Sequence, residues 1–239
     1  MIKKIWALLL AFIMVISFAA CSGGEGKKVE LTEDEQYDLM AVIEDREYID
    51  QIGKSFVSAE LSNQEALNLV LDEYLGPYSG LYGIEFSYIN DSAIDLYGIE
   101  VTPEDVVCRS CGEVRAVYHD DGKFRIPASH KHRFEEDVAH VLPDVIESYK
   151  NEAGDEYTVK MYKMFSDIGK YSKGDAYGYN LYNTYNDAAA MENMVFFAAT
   201  DVEMQELYAG LEAKDKQVYI YKFCVNEGGN YFIKSYEIA

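Results

Sequence analysis

The hydrophobic period of this chain changes near residue 106, and that change limits what it can fold into more than any other feature. Before it, apolar residues recur at helical spacing. Leu39, Met40, Val42 and Ile43 follow Thr32, and Glu35 stands three residues after Thr32. In such a box a hydroxyl caps the third amide of a helix and the carboxylate returns the bond. Ser62 and Glu65 repeat it ahead of Ala66, Leu67, Leu69, Val70, Leu71 and Tyr74, and Gly76-Pro77 stops that run. A third, shorter helix is predicted over 91–97, ending at Gly98.

After the change the period is two, which puts alternate side chains on opposite faces of a strand. Residues 113–119 alternate, Asp120-Asp121-Gly122-Lys123 turns, and Phe124-Arg125-Ile126 returns. Residues 145–150 and 156–164 flank a turn at Asn151-Glu152-Ala153-Gly154. Residues 218–225 and 231–238 flank Asn226-Glu227-Gly228-Gly229. Between these last two hairpins a helix is expected over 187–197 or 201–213, with Asp201 as its cap. Helices first and hairpins afterwards predict an α+β fold, with N-terminal helices packed on an antiparallel, hairpin-rich sheet. No Pro-, Gly- or Ser-rich linker divides a helical part, 31–105, from a β-rich part, 106–239, so 31–239 is expected to be one acidic domain. The order of elements is similar to that of the cone-shaped nuclear-transport-factor-2-like domains, a likeness of fold alone.

The chain carries 42 acidic and 21 basic residues, a formal net charge of −21. Phosphate backbones attract proteins through Lys and Arg, so nucleic acid is excluded as a partner. Anionic lipid is excluded as an electrostatic partner for the same reason. With 21 tyrosines, 11 phenylalanines and 4 prolines, the sequence has the large rings of a packed core rather than the composition of a disordered chain. No stretch has the twelve-residue spacing of a calcium-binding EF-hand loop.

Lys3 and Lys4 precede an apolar run from Ile5 to Phe18, broken at Ser17 and followed by Ala19-Ala20-Cys21. A positive start, a short apolar core and small residues before a cut form a secretory signal. The run is shorter than the roughly 20 residues that span a bilayer. Phe18-Ala19-Ala20-Cys21 resembles the lipobox of bacterial lipoproteins, with Phe18 where leucine is usual. The resemblance implies a signal peptide at 1–20, a lipid on Cys21, and a place on the outer face of the bacterial cell membrane. The small, polar Ser22-Gly23-Gly24-Glu25-Gly26-Lys27-Lys28 then reads as a flexible tether over 21–30. Cleavage would remove two lysines and no acid, taking the formal charge from −21 to −23.

Two constellations carry candidate chemistry. Cys108-Arg109-Ser110-Cys111-Gly112 has the spacing that points two thiolates at one ion, and His130-Lys131-His132 follows a hairpin later. The spacing resembles a zinc ribbon with His130 and His132 in place of the second cysteine pair, which implies a structural zinc site. Outside the membrane the same Cys108 and Cys111 would equally suit a local disulfide, or both would stay as inert thiols while Cys224 is buried on its strand. The second constellation is the run 177–186, where Tyr177, Tyr179, Tyr182 and Tyr185 are interleaved with asparagines and could stack on sugar rings. Its competing reading is a half-buried strand, where tyrosine belongs naturally.

Other signatures fail on their own requirements. The second cysteine of Cys108-x-x-Cys111 runs into glycine and a strand, not the helix N-terminus that a thioredoxin-like thiolate needs. Gly53-Lys54-Ser55 resembles the end of a phosphate-binding loop, but the required earlier glycine position holds Tyr48. Neither G-x-S-x-G nor H-E-x-x-H occurs. The expectation is a lipid-anchored extracytoplasmic protein with a non-enzymatic role, binding a cell-wall glycan or an envelope protein. The alternatives are an envelope hydrolase with an unrecognised site, or an assembly component stabilised by zinc or a disulfide.

Overall fold

A computed structural model describes residues 27–44, 46–74, 83–109, 111–127, 138–167, 172–173 and 176–239. Cys21, His130 and His132 lie outside these residues. The α-helices among them are α1 (Glu33–Glu44), α2 (Asn63–Tyr74), α3 (Phe86–Tyr97), α4 (Tyr185–Ala190) and α5 (Asp201–Gly210). The strands are β1 (Val29–Glu30), β2 (Phe56–Val57), β3 (Ile84–Glu85), β4 (Val106–Val107), β5 (Val114–Tyr118), β6 (Lys123–Arg125), β7 (Val138–Lys150), β8 (Glu156–Asp167), β9 (Ser172–Lys173), β10 (Ala176–Tyr177), β11 (Tyr179–Tyr182), β12 (Phe196–Ala198), β13 (Val218–Val225) and β14 (Tyr231–Ile238). No helix among the described residues is long and apolar enough to cross a membrane.

The local signals act as the sequence predicts. Glu35 N–H donates to Thr32 Oγ1 at 3.2 Å and Thr32 N–H donates to Glu35 Oε2 at 3.0 Å, closing the first box. Ser62 and Glu65 repeat the exchange at 3.0 and 3.2 Å. The 91–97 helix is longer than expected, beginning at Phe86, because Ile89 and Ala93 continue the buried stripe of Leu96 and Tyr97. It ends at Gly98, whose φ of 64° is the left-handed conformation that favours glycine. Where one helix is expected, over 187–197 or 201–213, two form, at Tyr185–Ala190 and Asp201–Gly210, and Thr200, not Asp201, caps the second: Glu203 N–H donates to Thr200 Oγ1 at 3.2 Å. An Asp201 carboxylate already sits inside the first turn, where it complements the helix dipole instead.

All three hairpins form, and every strand pairing among the described residues is antiparallel. Eight strands make the main sheet, ordered β1-β7-β8-β13-β14-β2, with β11 and β12 joined to it through β8. A smaller sheet runs β3-β6-β5-β4. The mixed α+β architecture with antiparallel sheets is thus present. β7 begins seven residues before the expected 145 and is irregular there, with register shifts between Val141 and Asp144 and again between Val145 and Glu147. Pro143 lies within the first shift, where the missing amide costs no ladder bond.

One apolar cluster contains Leu39 and Ile43, Leu67 and Val70, Ile89 and Tyr97, together with Val159, Met161, Phe223 and Ile233 of the main sheet. Burial at this scale is the principal stabilising term, about 25 cal/mol for each Å² of apolar surface removed from water. A second, smaller cluster gathers Met164, Leu181, Ala198, Met204 and Tyr208 where β8, β11, β12 and α5 meet.

Candidate functional site

On β8 the period of two places Tyr157, Val159, Met161, Lys163 and Phe165 on one buried face. Four of these are apolar or aromatic, and the fifth is a lysine with a side chain only 3% exposed. Burying an amine there is costly unless it is paired and hydrogen-bonded. Its partner comes from a 3-10 helix over Glu47–Ile52, whose Asp50 carboxylate is 1% exposed and lies 2.6 Å from Lys163 Nζ. Lys163 also donates to Tyr221 Oη at 2.8 Å. Tyr236 Oη donates to Asp50 Oδ1 at 2.6 Å, and Tyr221 Oη reaches the same oxygen at 3.5 Å.

Aromatic faces complete the enclosure. Lys163 Nζ stands 5.3 Å from the ring centre of Tyr221 and 5.8 Å from that of Tyr219, within the range where a cation is attracted to the ring's negative face. Tyr219 and Tyr236 stack with centroids 6.0 Å apart. Burial first, and then the charge of Asp50, hold the phenols of Tyr219 and Tyr236 far above the ordinary tyrosine value. Both therefore stay protonated and serve as donors, Tyr219 to the backbone carbonyl of Asn183 at 2.6 Å.

A cavity of about 300 Å³ opens above this network. Its floor is Asp50, Tyr219 and Tyr236, and its walls come from Gly53, Lys54 and Ser55 on one side and Thr184, Tyr185 and Asn186 on the other. Each wall is built locally. Gly53 caps the 3-10 helix with φ 64°, and its bare Cα lets the Asn186 side chain close in: a Cβ there would lie 2.0 Å from the Asn186 amide nitrogen. Lys54 Nζ is held 2.8 Å from Glu65, and Ser55 Oγ accepts from Ile238 N–H at 3.0 Å. Thr184 caps α4, accepting from Asp187 N–H at 3.1 Å. The lining thus combines tyrosine side chains, two hydroxyls, an amide and the carboxylate of the Asp50–Lys163 pair. The volume lies at the lower end of the range for small-molecule sites.

The structure distributes the sequence-predicted residues unevenly. Cys108 and Cys111 face one another as thiols at the β4–β5 turn, Cys108 buried and Cys111 exposed. His130 and His132, the other half of the proposed zinc set, lie outside the described residues. Among the described residues no group of three or more His, Cys, Asp or Glu side chains could hold a metal ion. Tyr182 and Tyr185 belong to the main core, 2% and 8% exposed, so neither ring lies open on the surface for a polysaccharide to stack upon. β11 is covered on both faces, with Leu181 in the smaller cluster and Tyr182 in the main core. Tyr179 is half-buried against the smaller cluster and its hydroxyl bonds Asp201, while the side chain of Tyr177 lies outside the described residues. Tyr185 instead lines the cavity, packed edge-to-face on Phe165 at 6.1 Å.

Sequence reasoning missed Asp50, Lys163, Tyr221 and Tyr236. One signal was legible: Lys163 occupies the apolar parity of an alternating strand, which is where a paired buried charge is expected. Its partner was not, because Asp50 lies 113 residues away in sequence. The Gly53-Lys54-Ser55 segment, set aside as a phosphate loop, forms a cavity wall. Compared with known proteins, this chain matches no family model, no curated protein and no solved structure.

Proposed function

We propose that this protein is an extracytoplasmic lipoprotein, held to the outer face of the cell membrane by a lipid on Cys21, that binds one small hydroxylated ligand without transforming it. The cavity above the Asp50–Lys163 pair carries this reading. Its volume suits a single sugar ring, and its lining of tyrosines, hydroxyls, an amide and a carboxylate is the chemistry that grips one. The glycan partner expected from the tyrosine-rich run is thereby moved to the end of that run, at Thr184, Tyr185 and Asn186. In this reading the helices that precede residue 106 form a layer over the main sheet, and the 3-10 helix carrying Asp50 closes the cavity from that side. The leader Lys3–Ala20 and the cysteine that follows it support the anchor, and the acidic surface leaves attachment to the lipid.

Saturation-transfer NMR and thermal melting with N-acetylglucosamine and glucose test the ligand class. At least one should bind, and Asn186→Ala at the rim should weaken it about tenfold, the equivalent of one lost hydrogen bond. Failure of both sugars to bind at millimolar concentration, with the variant indistinguishable, ends the sugar reading. Separately, Cys21→Ala should move the protein from the membrane fraction to the medium. Retention of the variant on the membrane ends the anchor.

A further inference from the structure

The β4–β5 turn holds its two cysteines in a fixed relation that the cavity does not use. Val106 pairs with Ala116 and Val107 with Val114, so the two strands bracket the turn. Cys108 N–H donates to Glu113 O at 2.8 Å, and Gly112 N–H donates to Cys108 O at 2.9 Å. Gly112 takes φ 73°, the left-handed conformation that lets the chain double back. The turn is also fastened from outside: Arg109 lies 2.8 Å from Asp72 of α2, and Arg115 of β5 bonds the same carboxylate. Within this frame the Cys111 thiol is hydrogen-bonded to Cys108. One sulfur is buried and the other open to solvent.

We propose that Cys108 and Cys111 are a dithiol–disulfide couple, oxidised by exchange with a disulfide-bearing donor. The exposed Cys111 loses its proton and attacks one donor sulfur, breaking the donor's S–S bond and releasing the first donor thiolate. Cys108 then attacks Cys111 in the mixed disulfide, forming the Cys108–Cys111 bond and releasing the second donor sulfur. Two protein thiols become one disulfide, one donor disulfide becomes two thiols, and the two protons pass to the donor. The asymmetry of exposure sets the order, since only Cys111 is accessible to a bulky donor. Against a backbone bond from Glu113 that lowers it, desolvation and then contact with Cys108 raise the Cys111 thiol above its ordinary value, so uncatalysed exchange near neutral pH is slow and quickens as pH rises.

The test uses full-length protein, reduced, freed of reductant and incubated with glutathione disulfide. After unfolding, thiols are tagged with a maleimide, and the peptide spanning residues 108–111 is examined by mass spectrometry. The expected product is that peptide untagged at both cysteines and lighter by two hydrogens. Cys111→Ser, a change at an exposed position, should leave Cys108 reduced under the same conditions. A stable glutathione adduct on Cys111 with Cys108 still taggable would show that the buried sulfur cannot resolve the intermediate, and overturns the proposal. One-to-one binding of zinc that protects both cysteines from glutathione disulfide, and that Cys111→Ser abolishes, assigns the pair to a metal and overturns it as well.

Discussion

Two ion pairs are buried among the described residues, and they are built on different principles. Lys163 and Asp50 meet beneath the cavity, among tyrosines, with side chains 3% and 1% exposed. Arg115 and Asp72 meet between α2 and the smaller sheet, 7% and 5% exposed. The arginine uses its fork: one nitrogen bonds Asp72, while the other reaches the Asn68 carbonyl at 3.3 Å and its side-chain oxygen at 3.1 Å. Asn68 in turn donates to Val107 O at 2.9 Å. That clasp ties a helix to a sheet through fixed directions, as a planar guanidinium does well. The lysine makes a point-like contact with one carboxylate and one phenol, and its other neighbours are ring faces. Both pairs bear the cost of desolvation, and the carboxylate of the lysine's pair lines the cavity. The arginine pair is therefore read as a fastener, and the lysine pair as the support of a site whose floor includes Asp50.

The largest effect should come from Lys163→Met. Removing one partner of a buried pair leaves the other charge uncompensated, at a cost of about 3–5 kcal/mol. Urea unfolding should show this, and the double variant Asp50→Asn with Lys163→Met should lose less than the sum of the two single changes. Strict additivity would mean that the two groups do not interact as drawn. The next effect tests the fork. Arg115→Lys keeps the charge but loses the directed bonds to Asn68, and should cost about 1.5–3 kcal/mol. A change within measurement error would reduce the clasp to simple charge neutralisation and erase the contrast with Lys163.

The smallest effect uses the Lys54–Glu65 pair at the cavity wall as an exposed reference for both. Glu65 is held at about 2, below its ordinary 4.5, first by Lys54 and then by the Ser62 amide. Because the folded carboxylate is the stronger acid, its stabilisation is complete above pH 4.5 and is lost as pH falls through about 2. Its side chain is 41% exposed, so solvent screening keeps the contribution below about 1 kcal/mol. Glu65→Gln should lower the melting temperature slightly at neutral pH, with the deficit shrinking between pH 4.5 and 2. A deficit constant across that range would assign the effect to helix capping alone.

Short-range features were legible because their causes are short-range. Thr32 with Glu35 and Ser62 with Glu65 close boxes that need no distant partner. The hairpins at 120–123, 151–154 and 226–229 follow from turn residues between alternating strands. Errors have two sources: packing of Ile89 and Ala93 lengthens the helix that begins at Phe86, whereas the Thr200 cap is a local signal, three residues before Glu203, that Asp201 masks in the sequence. The tyrosine-rich run shows the limit most clearly. Its residue types suit either a stacking platform or a buried strand, and composition cannot choose between them. Burial chose for Tyr182, and the cavity claimed Tyr185.

Sequence alone determined the α+β character, the sites of the main turns and caps, and the acidic surface, because period, turn chemistry and charge are properties of neighbouring residues. Only the tertiary structure decided that Lys163 meets Asp50 across 113 residues and that Tyr236 meets the same carboxylate across 186. Strand register and the seating of one 3-10 helix bring those groups within hydrogen-bond reach. Neither is encoded within any stretch of chain short enough to be read on its own.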